Sequence, residues 1–412
     1  RALGITSSAA LNQIRSGGLK LSNQGKPVAY LAASGYVGFY FYGEAINSLY
    51  TRDNVYWLER VKGSTVASYA AKVPAAVEMG TFLTTVHAER DLMPAPAVAT
   101  SATSDIWMWQ AIVAGNPALG KGLFEVPADG AAGGLASLKA QFVSLTDAGT
   151  GRDHHVQILV NGTLVGEARW TGKGEYQASR SFDASLLVDG VNTVEVIGLR
   201  DAGVPYSIFL VNWFDLTYPR YYRATDNVLA FTSANAQAAT VYGFTDRNVM
   251  VFDLSDPRLP KAVSNVKIEA SGGAFRATFK PSAAGVPYLA TTTGAVKRIT
   301  TLAADTPSNL SAKNAANYIV ITNGALKPAA EALAAYRAGQ GLKTMVVDVQ
   351  DIYDEFNFGV ASPQAIDSFL THAYQKWSPK PSYVLLAGAG SYDYKNNLGA
   401  GDCIVPPQMV MA

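Results

Sequence analysis

The sequence predicts a multidomain chain in which β-sandwich or jelly-roll modules precede an α/β module with a parallel sheet. Two patterns and one total carry that expectation. Up to residue 300, short runs of alternating apolar and polar residues are separated by Gly, Asn, Asp and Pro turn signals. Between Tyr318 and Gly388, patterns for strand, helix, strand, helix and strand follow one another. The chain of 412 residues also holds 37 Gly and 21 Tyr, a balance suited to β-rich, loop-rich architecture.

Other totals exclude whole classes of function. Apolar residues make up 49%, ample for packed cores, and charged residues only 16%. The net charge of +1 leaves no basic stripe to neutralise phosphates, which argues against a nucleic-acid partner. No apolar run reaches the length of a membrane span. A single cysteine excludes an intrachain disulfide, and with four scattered histidines it excludes a Cys/His zinc site. The chain begins at Arg1 without an initiator methionine. That start reads as a removed leader or a piece of a longer chain. The β-rich composition favours a secreted or surface location, and the low cysteine content suits a bacterial surface protein as well as the cytosol.

Residues 1–102 form the first expected domain, β-rich, with strands at Gly35–Tyr42, Val55–Leu58 and Thr81–Val86. The aromatic stripe Phe39-Tyr-Phe-Tyr42 suits a binding face less well than a core. Residues 103–222 read as a jelly-roll-like sandwich. Its strands fall at Leu138–Leu145, Val156–Val160, Asn192–Gly198 and Tyr206–Val211, with Asn161-Gly162 as a hairpin turn. Asp153-His154-His155 gathers metal-ligand types in this domain. Adjacent side chains on a strand point to opposite faces, so the pair is read as a solvated turn rather than a metal site. Residues 223–300 read as a small β domain, packed with part of 1–102 if the sandwich is an insertion. No motif in any of these segments calls for a cofactor, and structural calcium, compatible with a sandwich, has none supporting it.

Residues 301–412 hold the α/β module, entered through a polar stretch from Thr301 to Asn314. Tyr318–Thr322 is a strand ending at Asn323-Gly324. Pro328 opens a helix with Ala330, Leu333, Ala334 and Arg337 at helical spacing, closed by Gly339 and Gly341. The run Leu342–Val349 is the second strand. Ser362-Pro363 starts a helix whose apolar face is Ile366, Phe369, Leu370, Ala373, Tyr374 and Trp377, stopped by Pro379 and Pro381. Tyr383–Gly388 is a continuous apolar run, as a strand buried on both faces should be.

Chemistry in such sheets gathers at the carboxyl ends of the strands, which here are Thr322–Gly324, Asp348–Asp351 and Gly388–Asp393. On that geometry Asn323, Gly388 and Asp393 border the candidate site. Gly388-Ala-Gly390 follows the third strand without a third glycine or a following helix, so it does not read as a dinucleotide site. Cys403 is the one thiol, but Asp402 beside it disfavours a thiolate. His372 lies mid-helix and His87 in a strand of the first domain, neither at a strand end of the module. A Gly-x-Ser-x-Gly elbow is also missing, and no carboxylate pair stands out for glycoside hydrolysis.

Several of these stretches together resemble gingipain-like cysteine peptidases. They are Tyr318–Thr322, Tyr336-Arg337 before Gly341-Leu-Lys, Val346 to Tyr353, Ala365-Ile366 and Lys380–Gly388. Asn54–Trp57 and His155–Gly162 also look like the β-rich segments that precede the peptidase domain in large bacterial members. Where the family often carries an acidic residue after the glycine of the third strand, this chain has Ala389. The resemblance implies that residues 301–412 are the first half of a caspase-like domain. It implies hydrolysis of protein or peptide substrates through a cysteine acyl-enzyme, with His as base. It places the His–Cys dyad on loops after later strands, beyond Ala412, so no catalytic residue is expected in this chain. A C-terminal continuation or a separately cleaved chain would then complete the sheet. The reading from another class is a non-catalytic surface protein for binding or assembly, in which the exposed edge of the third strand docks another chain.

Overall fold

The computed structural model describes residues 7–74, 80–149, 151–299 and 302–409. Arg1, Thr301 and Ala412, noted above, lie outside the described residues. The chain divides into two compact units. One comprises Ala67–Ala99 and Ile106–Lys297, the other Arg1–Val66, Thr100–Asp105 and Arg298–Ala412.

The first of these units contains eight antiparallel strands in two sheets. They are β1 (Gln110–Val113), β2 (Lys121–Ala128), β3 (Leu135–Ser144), β4 (His154–Val160), β5 (Thr163–Trp170), β6 (Gly174–Asp183), β7 (Gly190–Leu199) and β8 (Ile208–Tyr221). The order β1-β8-β3-β6 in one sheet and β2-β7-β4-β5 in the other is that of a jelly roll. Alternation sets the core. In β2 the side chains of Phe124 and Val126 are buried while Leu123 and Glu125 are exposed. Trp109 and Phe214 each lie against Phe124, with ring centroids 5.1 Å away. Asn161-Gly162 joins β4 to β5 with φ of 47° and 80°, as a two-residue turn with the twist of its strands requires. Strand β8 is long enough to pair also with Thr81–Glu89, Asp215 opposite His87.

A second core in this unit lies between two small sheets. Val228–Thr232, Pro287–Thr292, Val249–Asp253, Lys261–Ser264 and Ala67–Ala70 are neighbours in that order, the last pair parallel. Ala239–Phe244, Ala274–Phe279 and Lys267–Ser271 form the other sheet. Ala67–Ala70 thus joins strands that follow the jelly roll in sequence.

In the other unit the first described element is a helix, Ser7–Ser16, within a segment expected to be β-rich. Lys26–Val28, Lys20–Asn23 and Tyr56–Glu59 make an antiparallel sheet. The aromatic stripe forms one strand of a hairpin, Phe39–Phe41 with Tyr30–Ala32, and is half-buried: Phe39 and Phe41 pack against a core that holds the fully buried Tyr30, the Phe39 ring 5.0 Å from it.

The α/β module runs β9 (Tyr318–Thr322), α1 (Lys327–Gly339), β10 (Thr344–Asp348), α2 (Val349–Asn357), α3 (Pro363–Lys376) and β11 (Tyr383–Leu386). The sheet is parallel, with β9 between β10 and β11. Every residue of β9 is buried, which is why its pattern is continuous rather than alternating. Ser362 Oγ accepts from the Ala365 amide at 3.2 Å, the cap the Ser-Pro pair promised. Ile366, Phe369, Ala373 and Trp377 are buried as the spacing required, whereas Tyr374 is exposed.

Two expectations for this module are corrected. The second strand stops at Asp348, and Val349, read as strand, opens helix α2. Asp348 ends the strand because its carboxylate accepts from the Gln350 amide at 3.0 Å and caps that helix. The third strand is not buried on both faces. Tyr383, Val384 and Leu386 are exposed, because among the described residues β9 is the only neighbour of β11. An apolar run marks a strand but does not count its neighbours.

Candidate functional site

The carboxyl ends of the three parallel strands come out together. Thr322 Oγ1 donates to the Ala387 carbonyl at 2.8 Å, which ties the end of β9 to the end of β11. Asn323 follows directly. Its side-chain oxygen accepts from the Leu326 amide at 3.1 Å, and its carbonyl accepts from Lys327 at 3.0 Å, so it shapes the turn into α1. On the other side of β9, a Cβ on Gly324 would lie 3.8 Å from an Asp348 carboxylate oxygen.

Gly388 is required by close approach. A Cβ there would meet Ile404 Cγ2 at 2.6 Å and Val405 Cγ2 at 3.2 Å. The chain after β11 therefore loops out and returns against its own start, and the amide of Ile404 donates to the Ala389 carbonyl at 2.9 Å. The position that departs from the family pattern, Ala389, takes part through its backbone.

Asp393 lies within that loop and is buried. Its two carboxylate oxygens accept from the amides of Asn397 at 2.7 Å and Leu398 at 2.8 Å. Its own amide donates to Ser391 Oγ. These bonds make Asp393 the organiser of the loop. Asn323 and Gly388 flank the ends of neighbouring strands, while the carboxylate of Asp393 is engaged inside the loop.

Cys403 sits half-buried beneath the same loop. Its Sγ accepts from the Ser391 amide at 3.3 Å and donates to the Ser391 carbonyl at 3.5 Å. Burial pushes the thiol upward, and the Asp393 carboxylate adds to that. Among the described residues no hydrogen bond joins Cys403 to an imidazole. His372 instead packs on Phe356 with its ring 5.7 Å away, and its Nε2 is buried without a partner. It is thus less solvated than a residue on the outer flank of its helix would be.

Helix α2 places Asp351 and Asp354 close behind Asp348. Burial raises both carboxyls; Asp348 adds to the rise at Asp351, and at Asp354 the charges of Asp305, Asp351 and Asp348 add to it against a lowering hydrogen bond from Gln350. Among the described residues no group of three or more His, Cys, Asp or Glu is placed to hold a metal.

The Asp153-His154-His155 cluster was expected as a solvated turn, and it is not one. All three residues are buried at the entry to β4. His154 stacks on Trp170 at 5.0 Å and bonds Ser207 Oγ at 2.9 Å. His155 points to other surroundings, between Asp201 and Glu167. The sequence could not reveal this, since every partner lies on another strand or loop.

The N-terminal segment also touches this region, which the sequence argument missed. The guanidinium of Arg52 donates to the Lys395 carbonyl at 2.6 Å and to Asn397 Oδ1. The indole of Trp57 donates to the Phe358 carbonyl at 2.8 Å. The one signal was the Asn54–Trp57 stretch, singled out by resemblance and not by chemistry.

Comparison with known proteins adds a family likeness for the α/β module. Residues 311–410 match the sequence model of Peptidase family C25. The structure of dimeric latent PorU from Porphyromonas gingivalis superposes with a TM-score of 0.62 at 13% identity, covering 94% of this chain and 41% of that one. The chain therefore spans less than half the length of the PorU chain it matches. Weaker likenesses, to a delta-endotoxin of Bacillus thuringiensis and a β-porphyranase of Bacteroides plebeius, have TM-scores of 0.19 and 0.22. They share 14% and 13% identity, cover 24% and 50% of this chain and 18% and 30% of theirs, and carry no argument. No curated protein matches the sequence. No helix among the described residues is long and apolar enough to cross a membrane. By the sequence match and the parallel sheet beneath it, the α/β module of this chain is similar to peptidase family C25.

Proposed function

We propose that this chain is the N-terminal portion of a secreted or surface-held, gingipain-like cysteine endopeptidase, acting on protein or peptide substrates. The β modules lead into the first half of its catalytic domain, and the His–Cys dyad is contributed by residues outside this chain. The observation that carries the reading is Cys403. In a module that matches a cysteine-peptidase family, the one thiol hydrogen-bonds a backbone peptide group and is pushed away from the thiolate. The exposed β11 supports the second half of the reading, because a strand from a continuation or a cleaved chain would cover Tyr383, Val384 and Leu386. Asn323 and Gly388 would then border the substrate cleft at the strand ends, with Asp393 shaping the loop beside them.

The test is a longer product of the same gene, assayed on fluorogenic peptides with and without a thiol alkylator. The expected result is alkylator-sensitive hydrolysis that survives Cys403→Ser. Loss of activity in that variant would move the nucleophile into this chain. No hydrolysis in any form would favour the non-catalytic reading, in which the same exposed edge serves assembly.

A further inference from the structure

We infer that Arg52 and Tyr50 are positioning residues of the α/β module, a hook that holds the loop 391–398 in place after β11. That the loop borders a peptidase cleft rests on the function proposed above; the hook itself rests on contacts within one compact unit.

Arg52 reaches the loop from 343 residues upstream, one prong of its guanidinium on the Lys395 carbonyl and the other on Asn397 Oδ1. The planar fork can satisfy both acceptors at once, which an ammonium on a flexible stem does less well. Two residues earlier, the ring of Tyr50 meets that of Tyr394 edge-on at 4.8 Å. The Tyr50 hydroxyl accepts from Gln364 Nε2 at 3.0 Å, so the same side chain also touches the start of α3. Tyr394 in turn donates from its hydroxyl to the Pro407 carbonyl at 2.7 Å.

The hook is anchored at its base. Asn23 Nδ2 donates to Asn54 Oδ1 at 2.6 Å and to the Val55 carbonyl at 2.9 Å. Asn54 donates onward to the Glu44 carbonyl at 2.9 Å, and Trp57 to Phe358 at 2.8 Å. Gly359 lets this strand approach, since a Cβ there would lie 2.7 Å from Val55 Cγ1. Arg52 therefore projects from a base held at four points.

The loop has two supports. Asp393 fixes it from within through the amides of Asn397 and Leu398, and Arg52 with Tyr50 fixes it from without. Asn397 belongs to both, with its amide on Asp393 and its side-chain oxygen under Arg52. The loop lies at the strand ends where open parallel sheets bind their ligands. A segment near the N-terminus thus sets the geometry of one wall of that region.

Hydrogen exchange on the whole chain tests this directly. In Arg52→Ala and in Tyr50→Ala, amides of residues 391–398 are expected to exchange about tenfold faster, with helix α3 unchanged. Arg52→Lys, which keeps the charge and loses the fork, is expected to behave like Arg52→Ala, whereas Tyr50→Phe, which keeps the ring, retains protection. Unchanged exchange in the loop, or a rise spread evenly over α1–α3, would overturn the hook. In a longer chain with peptidase activity, Arg52→Ala is expected to raise KM more than it lowers kcat. If the longer chain has no activity, the proposed function falls while the exchange data still decide the hook.

Discussion

Nδ1 of the buried His155 lies 2.7 Å from a carboxylate oxygen of Asp201. Nε2 of the same ring faces Glu167 at 3.1 Å, and Arg169 reaches both carboxylates, at 3.2 Å and 3.5 Å. The hydrogen bond to His155 holds the Asp201 carboxyl below its ordinary range, with Arg169 assisting. Glu167 is lowered first by Gln157 and then by His155. Carboxyls lowered on folding contribute stability above their unfolded values, about 3.9 and 4.3, and lose it as the pH falls through the folded ones. Acid unfolding monitored at pH 3 to 5 is therefore expected to be shallower in Asp201→Asn than in the parent chain. Equal slopes would show that the cluster is not coupled to folding.

His87 behaves in the opposite sense. Its partial burial disfavours the charge, but hydrogen bonds with Asp215 at 2.7 Å and Glu89 at 3.1 Å outweigh that and raise it above its ordinary value. A raised imidazole contributes stability that is full below about 6.5 and is lost as the pH rises through the folded value. The ring is half exposed, so the effect is small and screened by salt. Melting temperatures at pH 6 and pH 8 are expected to differ less in His87→Gln than in the parent, with the gap narrowing further at high salt.

How much of this was legible follows from where the partners lie. Tyr318–Thr322 could be read because burial on both faces leaves an unbroken apolar run in the sequence itself. The helix at Ser362-Pro363 could be read because cap and first turn are neighbours in the chain. Helix α2 was hidden because it starts at the residue after β10, so Val349 continues the apolar run. Strand β6 was hidden for another reason. Its inward register runs Tyr176, Ala178, Arg180, Phe182, so a small residue and a charged one interrupt the apolar alternation. The buried histidine pair and the Arg52 hook depend on contacts from distant parts of the chain, which no local pattern encodes.

At Gly388 the prediction is steric. No turn requires a positive φ here; the constraint is Ile404 Cγ2 at 2.6 Å and Ile404 Cβ at 3.0 Å from an added Cβ. Cβ-branched isoleucine cannot swing its own Cβ aside, so the returning chain must shift. Gly388→Ala is expected to lower stability by about 1–3 kcal/mol. A second substitution, Ile404→Ala, should restore part of it, and urea denaturation of the double variant reads the coupling. Additive losses would place the strain elsewhere.

Asp348 carries two opposed effects that substitution can separate. As the cap of α2 its carboxylate satisfies the Gln350 amide, an arrangement whose loss to alanine costs about 1 kcal/mol. As a charge it repels Asp351, whose carboxyl is raised first by burial and then by Asp348. A carboxyl raised on folding weakens the fold as the pH rises through its unfolded value, about 3.9. Asp348→Asn keeps the acceptor and removes the repulsion, though it also gives up a charge favoured at the start of a helix. Asp348→Ala removes the cap as well. The expected order of stability at pH 7 is therefore parent and Asn close together with Ala about 1 kcal/mol below Asn. Denaturant midpoints at pH 7 check it. An alanine variant as stable as the asparagine one would mean that the strand-to-helix junction at Asp348 is held by its packing and not by the cap.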